Sequence, residues 1–278
     1  MNQITTGMTP EQLMRMALLP PLEMRMLLEH VLQLSRVQLI TQSHRMIVEA
    51  EAQTLSQLLK RRLAGEPMAY LMGEREFFGL SFKVTPDVLI PRPDTELLVE
   101  LALEKLPPSG RILDMGTGSG AIAVAISHTR PDATVHALDV SEHALVIARS
   151  NAQRHDATIH FLQSDWFAAL STETAAFDLI VSNPPYIVAG DQHLAEGDLR
   201  FEPIDALTDH ADGLSALRIL CQGAPQYLRS GGWLLMEHGY DQAAAVRDLL
   251  TQHGYTEVAS WQDLAGIARV SGGRRPSC

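Results

Sequence analysis

The sequence predicts an α/β protein in which a small helical bundle precedes a mostly parallel sheet covered by helices on both faces. Two observations predict this fold. From Arg111 onward, short apolar runs alternate with helical segments, and such alternation is typical of a parallel sheet. Up to Met72, leucines recur at spacings of three and four, and nine of the eleven methionines lie in this segment.

The N-terminal segment is predicted to form several short helices. Thr9, Pro10 and Gln12 supply a cap, a proline at the first helical position and a capping-box glutamine, and Pro20-Pro21 ends that first helix. Further helices are predicted at about 22–34, 36–41 and 48–63. Leucine- and methionine-rich helices usually pack together as a core. The alternative is an adaptable surface for a protein partner, since methionine fits irregular shapes.

Residues 77–84 alternate apolar and polar side chains around Gly79, which predicts a β-hairpin. We therefore expect three regions: a helical domain at 1–74, which is the candidate for partner recognition, a hairpin linker at 75–90, and a larger domain at 91–278. The larger domain opens with Pro91-Arg92-Pro93-Asp94-Thr95-Glu96, where Asp94 or Thr95 is expected to cap a helix over 97–106.

Five strands are predicted in the larger domain, at 112–114, 135–139, 159–162, 179–182 and 233–237. Helices are predicted between them at about 120–127, 142–154 and 214–227. Ligands of parallel sheets bind beyond the carboxyl ends of the strands, so the residues that follow these strands are the candidates for a site. The glycine- and arginine-containing tail at 272–276 is expected to be unstructured.

The composition makes several classes of protein less plausible. A formal net charge of −11 argues against a protein that wraps nucleic acid, because phosphate neutralisation needs clustered Lys and Arg. The two cysteines form no C-x-x-C pair and the histidines are scattered, so neither a disulfide framework nor a metal site is expected. No leader peptide or membrane-spanning run is visible, and we expect a cytoplasmic protein.

The first predicted strand of the sheet ends in a glycine-rich turn, Gly116-Thr117-Gly118-Ser119-Gly120. Glycines at alternate positions permit a sharp turn and let the backbone approach a ligand, next to the free N–H groups of the following helix. Asp139 ends the second strand, where a carboxylate can accept from both hydroxyls of a ribose. Dinucleotides and S-adenosylmethionine both use this arrangement, so these residues alone leave the cofactor open.

The fourth strand of the sheet ends in Asn183-Pro184-Pro185-Tyr186, and this motif indicates methyl transfer to a planar nitrogen. An amide or aromatic amine nitrogen is a poor nucleophile because its lone pair is delocalised. The carbonyl groups of Asn183 and Pro184 can accept from its two N–H groups and hold it, and Tyr186 offers a flat packing face. In-line placement beside an activated methyl group then supplies most of the rate, without a strong base.

The third strand is followed by Ser164-Asp165-Trp166-Phe167. The Asp165 carboxylate can accept from an adenine amino group, and the Trp166 ring can cover the adenine. Surface loops also contain aspartate and tryptophan. The segment therefore indicates an adenine site only because it follows a strand of the predicted sheet.

Taken together, these motifs resemble the class I methyltransferases that modify amino groups. The Arg92–Glu96 segment, the sequence Arg200-Phe201-Glu202-Pro203 and the N-terminal helices that end before Gly65-Glu66-Pro67 narrow the resemblance. The set is similar to the protein-(glutamine-N5) methyltransferases of the HemK/PrmC family, over residues of about 10 to 270. These enzymes modify the glutamine in the Gly-Gly-Gln loop of bacterial class 1 peptide chain release factors.

The resemblance implies a Rossmann-like sheet of seven strands, whose last pair is antiparallel, behind an N-terminal helical domain and a hairpin linker. It implies that S-adenosylmethionine is held at its methionine end by residues 116–120, at its ribose by Asp139 and at its adenine by Asp165 and Trp166. Asn183 and Pro184 would hold the substrate amide, with Pro185 and Tyr186 shaping the pocket. It assigns no atomic role to the segments at 92–96 and 201–203.

Four other functions remain open on the sequence. One is a non-catalytic binding module that keeps a methyltransferase fold, and the intact motifs argue against it. A DNA adenine-N6 methyltransferase would suit the same Asn-Pro-Pro-Tyr motif, but it needs a target-recognition region and base flipping. A glutamine methyltransferase of a ribosomal protein differs only in its substrate. A nicotinamide-dependent oxidoreductase would explain the glycine turn and Asp139 but not the motif at Asn183.

One departure from the family pattern is the pair Ile267-Ala268, where polar residues are expected.

Overall fold

The computed structural model describes residues 4–171 and 176–277. The chain divides into two compact units, Met1–Gly73 and Glu74–Cys278. Within the described residues, every helix is too short or too polar to cross a lipid bilayer.

The first unit is helical, as predicted. Its described residues form α1 (Pro10–Arg15), α2 (Pro21–Leu32), α3 (Arg36–Thr41), α4 (Glu49–Leu63) and α5 (Met68–Met72). A capping box starts α1: the Thr9 hydroxyl accepts from the Gln12 backbone at 3.3 Å, and the Gln12 side chain accepts from the Thr9 backbone at 2.9 Å. The predicted first helix therefore begins where expected, because both of these backbone donors have partners.

The core of the first unit consists of leucines, among them the fully buried Leu27, Leu28 and Leu55. Most of its methionines pack against that core, either buried or half-buried, which agrees with the packing interpretation. Arg62 of α4 and Glu23 of α2 form a two-pronged ion pair at 2.7 and 2.8 Å, which ties these helices together.

The second unit begins with a β-hairpin of β1 (Glu74–Phe77) and β2 (Leu80–Lys83). Its two-residue turn places Phe78 and Gly79 at φ of 52° and 75°, the left-handed pair that matches the twist of a tight hairpin. The buried Asn151 side chain accepts from the Lys83 backbone N–H at 2.7 Å and donates to the Lys83 carbonyl at 3.0 Å. The hairpin is thereby held against the sheet-containing part of its own unit.

Seven strands form one sheet in the order β5-β4-β3-β6-β7-β9-β8. They are β3 (Arg111–Met115), β4 (Thr134–Asp139), β5 (Ile159–Gln163), β6 (Phe177–Ser182), β7 (Leu228–Glu237), β8 (Thr256–Gln262) and β9 (Ala268–Arg274). The first five are parallel, and β9 is antiparallel to both of its neighbours. The chain runs outward from β3 through β4 to β5 and then returns to β6 on the other side of β3. The carboxyl end of β3 is therefore a topological switch point, where ligands of such sheets bind.

The described helices of the second unit confirm the predicted alternation. They are α6 (Glu96–Lys105), α7 (Ala121–Thr129), α8 (Glu142–Arg154), α9 (Ile204–Leu207), α10 (Ser215–Gly223) and α11 (Ala243–Gln252). The first seven residues of α7 are all buried, which accounts for its apolar sequence on every side. The end of β7 and the start of α6 were predicted correctly within one residue, whereas β7 begins five residues before the prediction.

The expectation of an unstructured tail is wrong for residues 272–274, which belong to β9. A Cβ atom on Gly272 would lie 2.5 Å from Leu235 Cδ2 and 2.6 Å from the Leu234 carbonyl oxygen. One on Gly273 would lie 2.8 Å from Tyr255 Cβ. The two glycines therefore permit close packing of a buried strand, although in the sequence they suggest flexibility.

Candidate active site

A cavity of about 530 Å³ opens at the carboxyl ends of β3, β4 and β6. Its walls include eight of the residues that the sequence singled out: Gly116, Gly118, Asp139, Asp165, Trp166, Asn183, Pro184 and Pro185. The position agrees with the strand-end rule, and the volume is that of a pocket for a small molecule or cofactor. In the described chain, no cluster of His, Cys, Asp and Glu has the geometry to hold a metal ion.

The glycine turn uses its three glycines in two ways. Gly116 and Gly118 lie on the cavity wall at φ of 72° and 55°, and a Cβ atom on either would meet no other atom within 4 Å. Gly120, at φ 82°, does not line the cavity. A Cβ atom at this position would lie 3.1 Å from Ala148 Cβ. The first two glycines therefore shape the cavity, whereas the third lets α7 pack closely on α8.

Thr117 and Ser119 are buried and lie behind the turn, away from the cavity wall. The Thr117 hydroxyl donates to Asp114 Oδ2 at 2.6 Å, and the Ser119 carbonyl accepts from the Asn151 side chain at 2.8 Å. Both residues thus hold the turn in place. Their part in cofactor binding stays a prediction that would have to act through the shape of the turn.

Asp139 ends β4 with its carboxylate facing two backbone donors. Its Oδ2 accepts from the Gly118 N–H at 2.8 Å, and its Oδ1 accepts from the Ser141 N–H at 2.9 Å. Burial raises the pKa of Asp139 against the opposing effect of these donors. A carboxylate oxygen accepts more than one hydrogen bond, so Asp139 can still receive hydroxyl groups from the cavity side.

The neighbouring Asp114 is fully buried at the end of β3. Burial raises its pKa to about 7, the charge of Asp139 acts in the same direction, and the Thr117 hydroxyl lowers it. The backbone of Ala123 also lowers the pKa of this carboxyl group. A buried carboxyl group with a raised pKa beneath a ligand cavity is typical of functional sites.

Asp165 and Trp166 line the cavity beyond the end of β5, with Asp165 exposed. Trp166 has φ 47°, an unfavourable backbone conformation for a bulky residue. The Ser164 hydroxyl, which is buried, donates to the Trp166 carbonyl at 2.6 Å and helps to maintain it. Such local strain is common where a side chain must be aimed at a ligand.

The turn after β6 presents Asn183, Pro184 and Pro185 to the cavity. The Ser182 hydroxyl donates to the Met115 carbonyl at 2.8 Å and fixes this turn beside the end of β3. Asn183 Nδ2 donates to Thr95 Oγ1 at 3.2 Å. Within the described residues Oδ1 accepts no hydrogen bond, so it remains available as an acceptor in the cavity.

Asp94 or Thr95 was predicted to cap α6, and Thr95 occupies its N-cap position. Thr95 does precede α6, but its side chain makes no capping hydrogen bond. Its hydroxyl instead contacts Asn183 and the buried carboxyl group of Glu237. The preceding residues form a 3-10 turn, Pro93–Thr95, which turns the Thr95 side chain into the interior, where it is 4% exposed.

Tyr186 does not line the cavity in the described chain. Its hydroxyl donates to Glu237 Oε1 at 3.2 Å, and its carbonyl accepts from the Gln242 side chain at 3.0 Å. Burial raises the pKa of Tyr186, and the Glu237 charge adds to the effect. The predicted role as a flat face for the substrate stays a prediction. The observed contacts fix the segment that follows Asn183.

The two segments without an assigned role contact one another. Arg92 forms an ion pair with Glu202, whose side chain is fully buried, and Glu202 also accepts from the Ile90 N–H at 2.9 Å. Burial raises the pKa of Glu202, whereas Arg92 lowers it. Asp94, two residues further on, pairs with Arg269 at 3.2 Å. Leu89 and Pro203, which are close in the chain to this ion pair, line the cavity.

Sequence reasoning missed Thr95 and Glu237 as parts of the site. Glu237 is the last residue of β7, so the rule that strand ends carry functional residues would have selected it. Nothing in the local pattern around Thr95 indicates its partner, which is 88 residues away.

Comparison with known proteins identifies the family of both units. The family model of the PrmC N-terminal domain matches residues 11–73, and that of the methyltransferase small domain matches residues 93–197. The release factor glutamine methyltransferase of Neisseria gonorrhoeae is 50% identical over 96% of this chain and 98% of its own. The enzyme of that name from Bordetella pertussis is 56% identical over 92% and 95%.

Among solved structures, a methyltransferase from Pyrococcus furiosus has the same fold. It matches with a TM-score of 0.55 at 20% identity, over 80% of this chain and 99% of its own. The sequence identity to the curated relatives extends over nearly the whole of both chains and therefore includes both units. The family resemblance drawn from the motifs is confirmed: this chain belongs to the release factor glutamine methyltransferases.

Proposed function

We propose that this chain transfers a methyl group from S-adenosylmethionine to the side-chain amide nitrogen of the glutamine in the Gly-Gly-Gln loop of bacterial class 1 peptide chain release factors. One observation carries the proposal beyond family membership. The Asn183 amide is anchored through its nitrogen to Thr95, so that its carbonyl oxygen is left to accept from a substrate N–H group. This arrangement suits a donor such as a primary amide.

The cavity fits the cofactor in charge and in shape. Five acidic residues line it, which suits a ligand with a cationic centre: Asp87, Asp139, Asp165, Asp205 and Asp209. Asp139 would accept the ribose hydroxyls, and Trp166 would cover the adenine. The open backbone at Gly116 and Gly118 leaves room for the methionine end. S-adenosylmethionine, when bound, supplies a methyl group that its sulfonium has already activated.

The protein has to position a weak nucleophile. Asn183 Oδ1 and the Pro184 carbonyl would accept from the two N–H groups of the glutamine amide and hold its nitrogen still. Pro184 and Pro185 have no N–H groups and restricted backbones, so the turn is stiff. Correct placement of the nitrogen beside the activated methyl group supplies most of the rate enhancement.

The N-terminal helices would recognise the release factor. Apolar side chains on and after α3 are exposed in the described unit, with Val37 at 69%, Ile40 at 66% and Met46 at 70%. Exposed apolar groups of this kind suit a protein partner better than a nucleic acid, as does the net charge of −11. Release factors act in the cytoplasm, which is where we propose that this chain works.

Purified protein and S-adenosylmethionine with a labelled methyl group test the proposal against its rivals. A release factor, a ribosomal protein extract depleted of release factors, and an adenine-containing DNA duplex are incubated separately. We expect label on the release factor alone. Label on DNA or on a ribosomal protein, with an unlabelled release factor, would overturn the proposed substrate.

A further inference from the structure

Glu237 is a buried acid that the proposed chemistry does not use. It ends β7 and its residue is 2% exposed. Its Oε1 accepts from the Tyr186 hydroxyl at 3.2 Å, and the Thr95 hydroxyl lies close enough to its carboxyl group to lower its pKa. Its Oε2 is buried and accepts no hydrogen bond within residues 4–171 and 176–277. Thr95 contacts one end of the turn Asn183-Pro184-Pro185-Tyr186, which we call the substrate turn, and Tyr186 is its other end.

An ionised carboxylate can only accept hydrogen bonds. The carboxylate of Glu237 therefore determines the direction of the hydrogen bonds that link it to Asn183 through Thr95. The Thr95 hydroxyl must turn its single proton towards Glu237. Its oxygen is then an acceptor for Asn183, which can only offer Nδ2. The Asn183 amide is therefore oriented with Oδ1 towards the cavity. The opposite orientation would present Nδ2, a donor, to the donors of the substrate amide.

The ionisation of Glu237 depends on its burial and on the charged groups around it. Burial raises the pKa of Glu237 to about 7, the charge of Asp94 acts in the same direction, and Arg269 lowers it. Arg269 is itself paired with Asp94 at 3.2 Å and with Asp263 at 3.1 Å. Glu237 is thus part of a network of charges, and it contacts both ends of the substrate turn through Thr95 and Tyr186.

We infer that Glu237 is a positioning residue that acts through the Thr95 hydroxyl to set the orientation of the Asn183 amide, and through Tyr186 to hold the turn that follows. The inference rests on the proposed function, because it assigns Asn183 Oδ1 to the substrate amide. Glu237, which would determine this orientation, belongs to none of the motifs identified in the sequence.

Four variants test the inference in the methylation assay with a release factor. Glu237→Gln keeps the size of the side chain but can present a donor to Thr95. Thr95→Val keeps the shape of the side chain but removes the hydroxyl that links Glu237 to Asn183, whereas Thr95→Ser keeps that hydroxyl. Ser127→Ala is the matched control, because Ser127 is buried and its hydroxyl bonds to the Thr158 carbonyl at 3.3 Å, outside the cavity wall.

We expect Glu237→Gln and Thr95→Val to lower kcat about ten- to a hundred-fold, the usual effect of losing a residue that orients an active-site ligand. Thr95→Ser should recover most of the rate, and Ser127→Ala should match the wild type. Cofactor affinity, measured by the thermal shift that S-adenosylhomocysteine produces, should stay within about twofold. That measurement also reports folding.

Two outcomes would overturn the inference. One is a kcat within twofold of wild type for both Glu237→Gln and Thr95→Val. The other is a loss in Thr95→Val that Thr95→Ser fails to restore, which would indicate packing alone. A wild-type enzyme that left the release factor unmethylated would overturn the proposed function as well, so the two failures are distinguishable.

Discussion

The Glu202 carboxylate joins two walls of the cavity by accepting from the Ile90 backbone N–H at 2.9 Å and from the Arg92 side chain. Asp87 and Leu89 line the cavity just before Ile90, and Pro203 lines it just after Glu202. The two motifs that had no role in the sequence are therefore one structural element. This element connects two segments of the cavity wall.

Removing the Glu202 side chain should damage both stability and cofactor binding. Glu202→Ala leaves the Ile90 N–H and the Arg92 guanidinium without their acceptor, and an unsatisfied buried donor costs about 1–3 kcal/mol. We expect a lower Tm in the absence of ligand and a higher Kd for S-adenosylhomocysteine. Calorimetry measures both. An unchanged Kd would show that these walls do not set the cavity shape.

Asn183→Ala should abolish turnover while cofactor binding stays largely in place. The variant removes an acceptor for the substrate amide, but Asn183 is only one of the residues that line the cavity. Single-turnover methylation of a release factor measures the first effect, and a thermal shift with S-adenosylhomocysteine measures the second. Turnover close to that of wild type would contradict the proposed amide contact.

Asp139→Asn should weaken cofactor binding by about ten- to a hundred-fold, since hydrogen bonds to a charged group contribute about 1.5–3 kcal/mol. Asparagine also presents an N–H group where Gly118 and Ser141 both donate. Asp248→Asn, on the exposed surface of α11 and outside the cavity wall, is the control and should bind normally. Equal affinities for the two variants would remove Asp139 from the cofactor site.

Activity should fall as the pH is lowered through about 7. Burial raises the pKa of Glu237 to about 7, so this carboxyl group takes up a proton between about pH 8 and pH 6. The protonated form no longer forces the Thr95 hydroxyl to donate, and the orientation of Asn183 is lost. Asp114 has a pKa of about 7 as well, and it contributes to the same limb.

The pH profile of Glu237→Gln separates the two acids. This variant has no carboxyl group at position 237, so the part of the acid limb that depends on Glu237 should disappear while the rate stays low throughout. A variant profile with the full wild-type acid limb would assign the whole limb to Asp114 or to other groups. The comparison needs only initial rates at saturating cofactor.

Gly272→Ala should destabilise the second unit although it lies in the segment that resembled a flexible tail. The added Cβ atom would lie within 2.6 Å of both Leu235 and the Leu234 carbonyl oxygen, and overpacking of this kind costs about 1–3 kcal/mol. We expect a Tm lower by several degrees in differential scanning calorimetry. A Tm equal to that of wild type would show that β9 is not packed as described.

Sequence reasoning found the parts of the site that follow strands, because the end of a strand and the residues of its turn are adjacent in the chain. The turn at Gly116, the acid at Asp139 and the motif at Asn183 all meet at one cavity, as the strand-end rule requires. The fold class followed from the alternation of strands and helices, which depends on local periodicity.

The parts that were missed depend on contacts between distant residues. Thr95 had the local features of a helix cap, and only the folded chain brings it to Asn183 and Glu237. The glycines of β9 had the local features of a flexible tail, and only the neighbouring strands show that no side chain fits there. Local pattern reports propensity, whereas these roles arise from tertiary packing.

Tandem mass spectrometry of a release factor methylated by this protein tests the central claim most directly. The account predicts one added methyl group, located by fragmentation on the side chain of the glutamine in the Gly-Gly-Gln loop, and none when that glutamine is changed to alanine. A methyl group on another residue, or methylation that persists in the alanine variant, would contradict it.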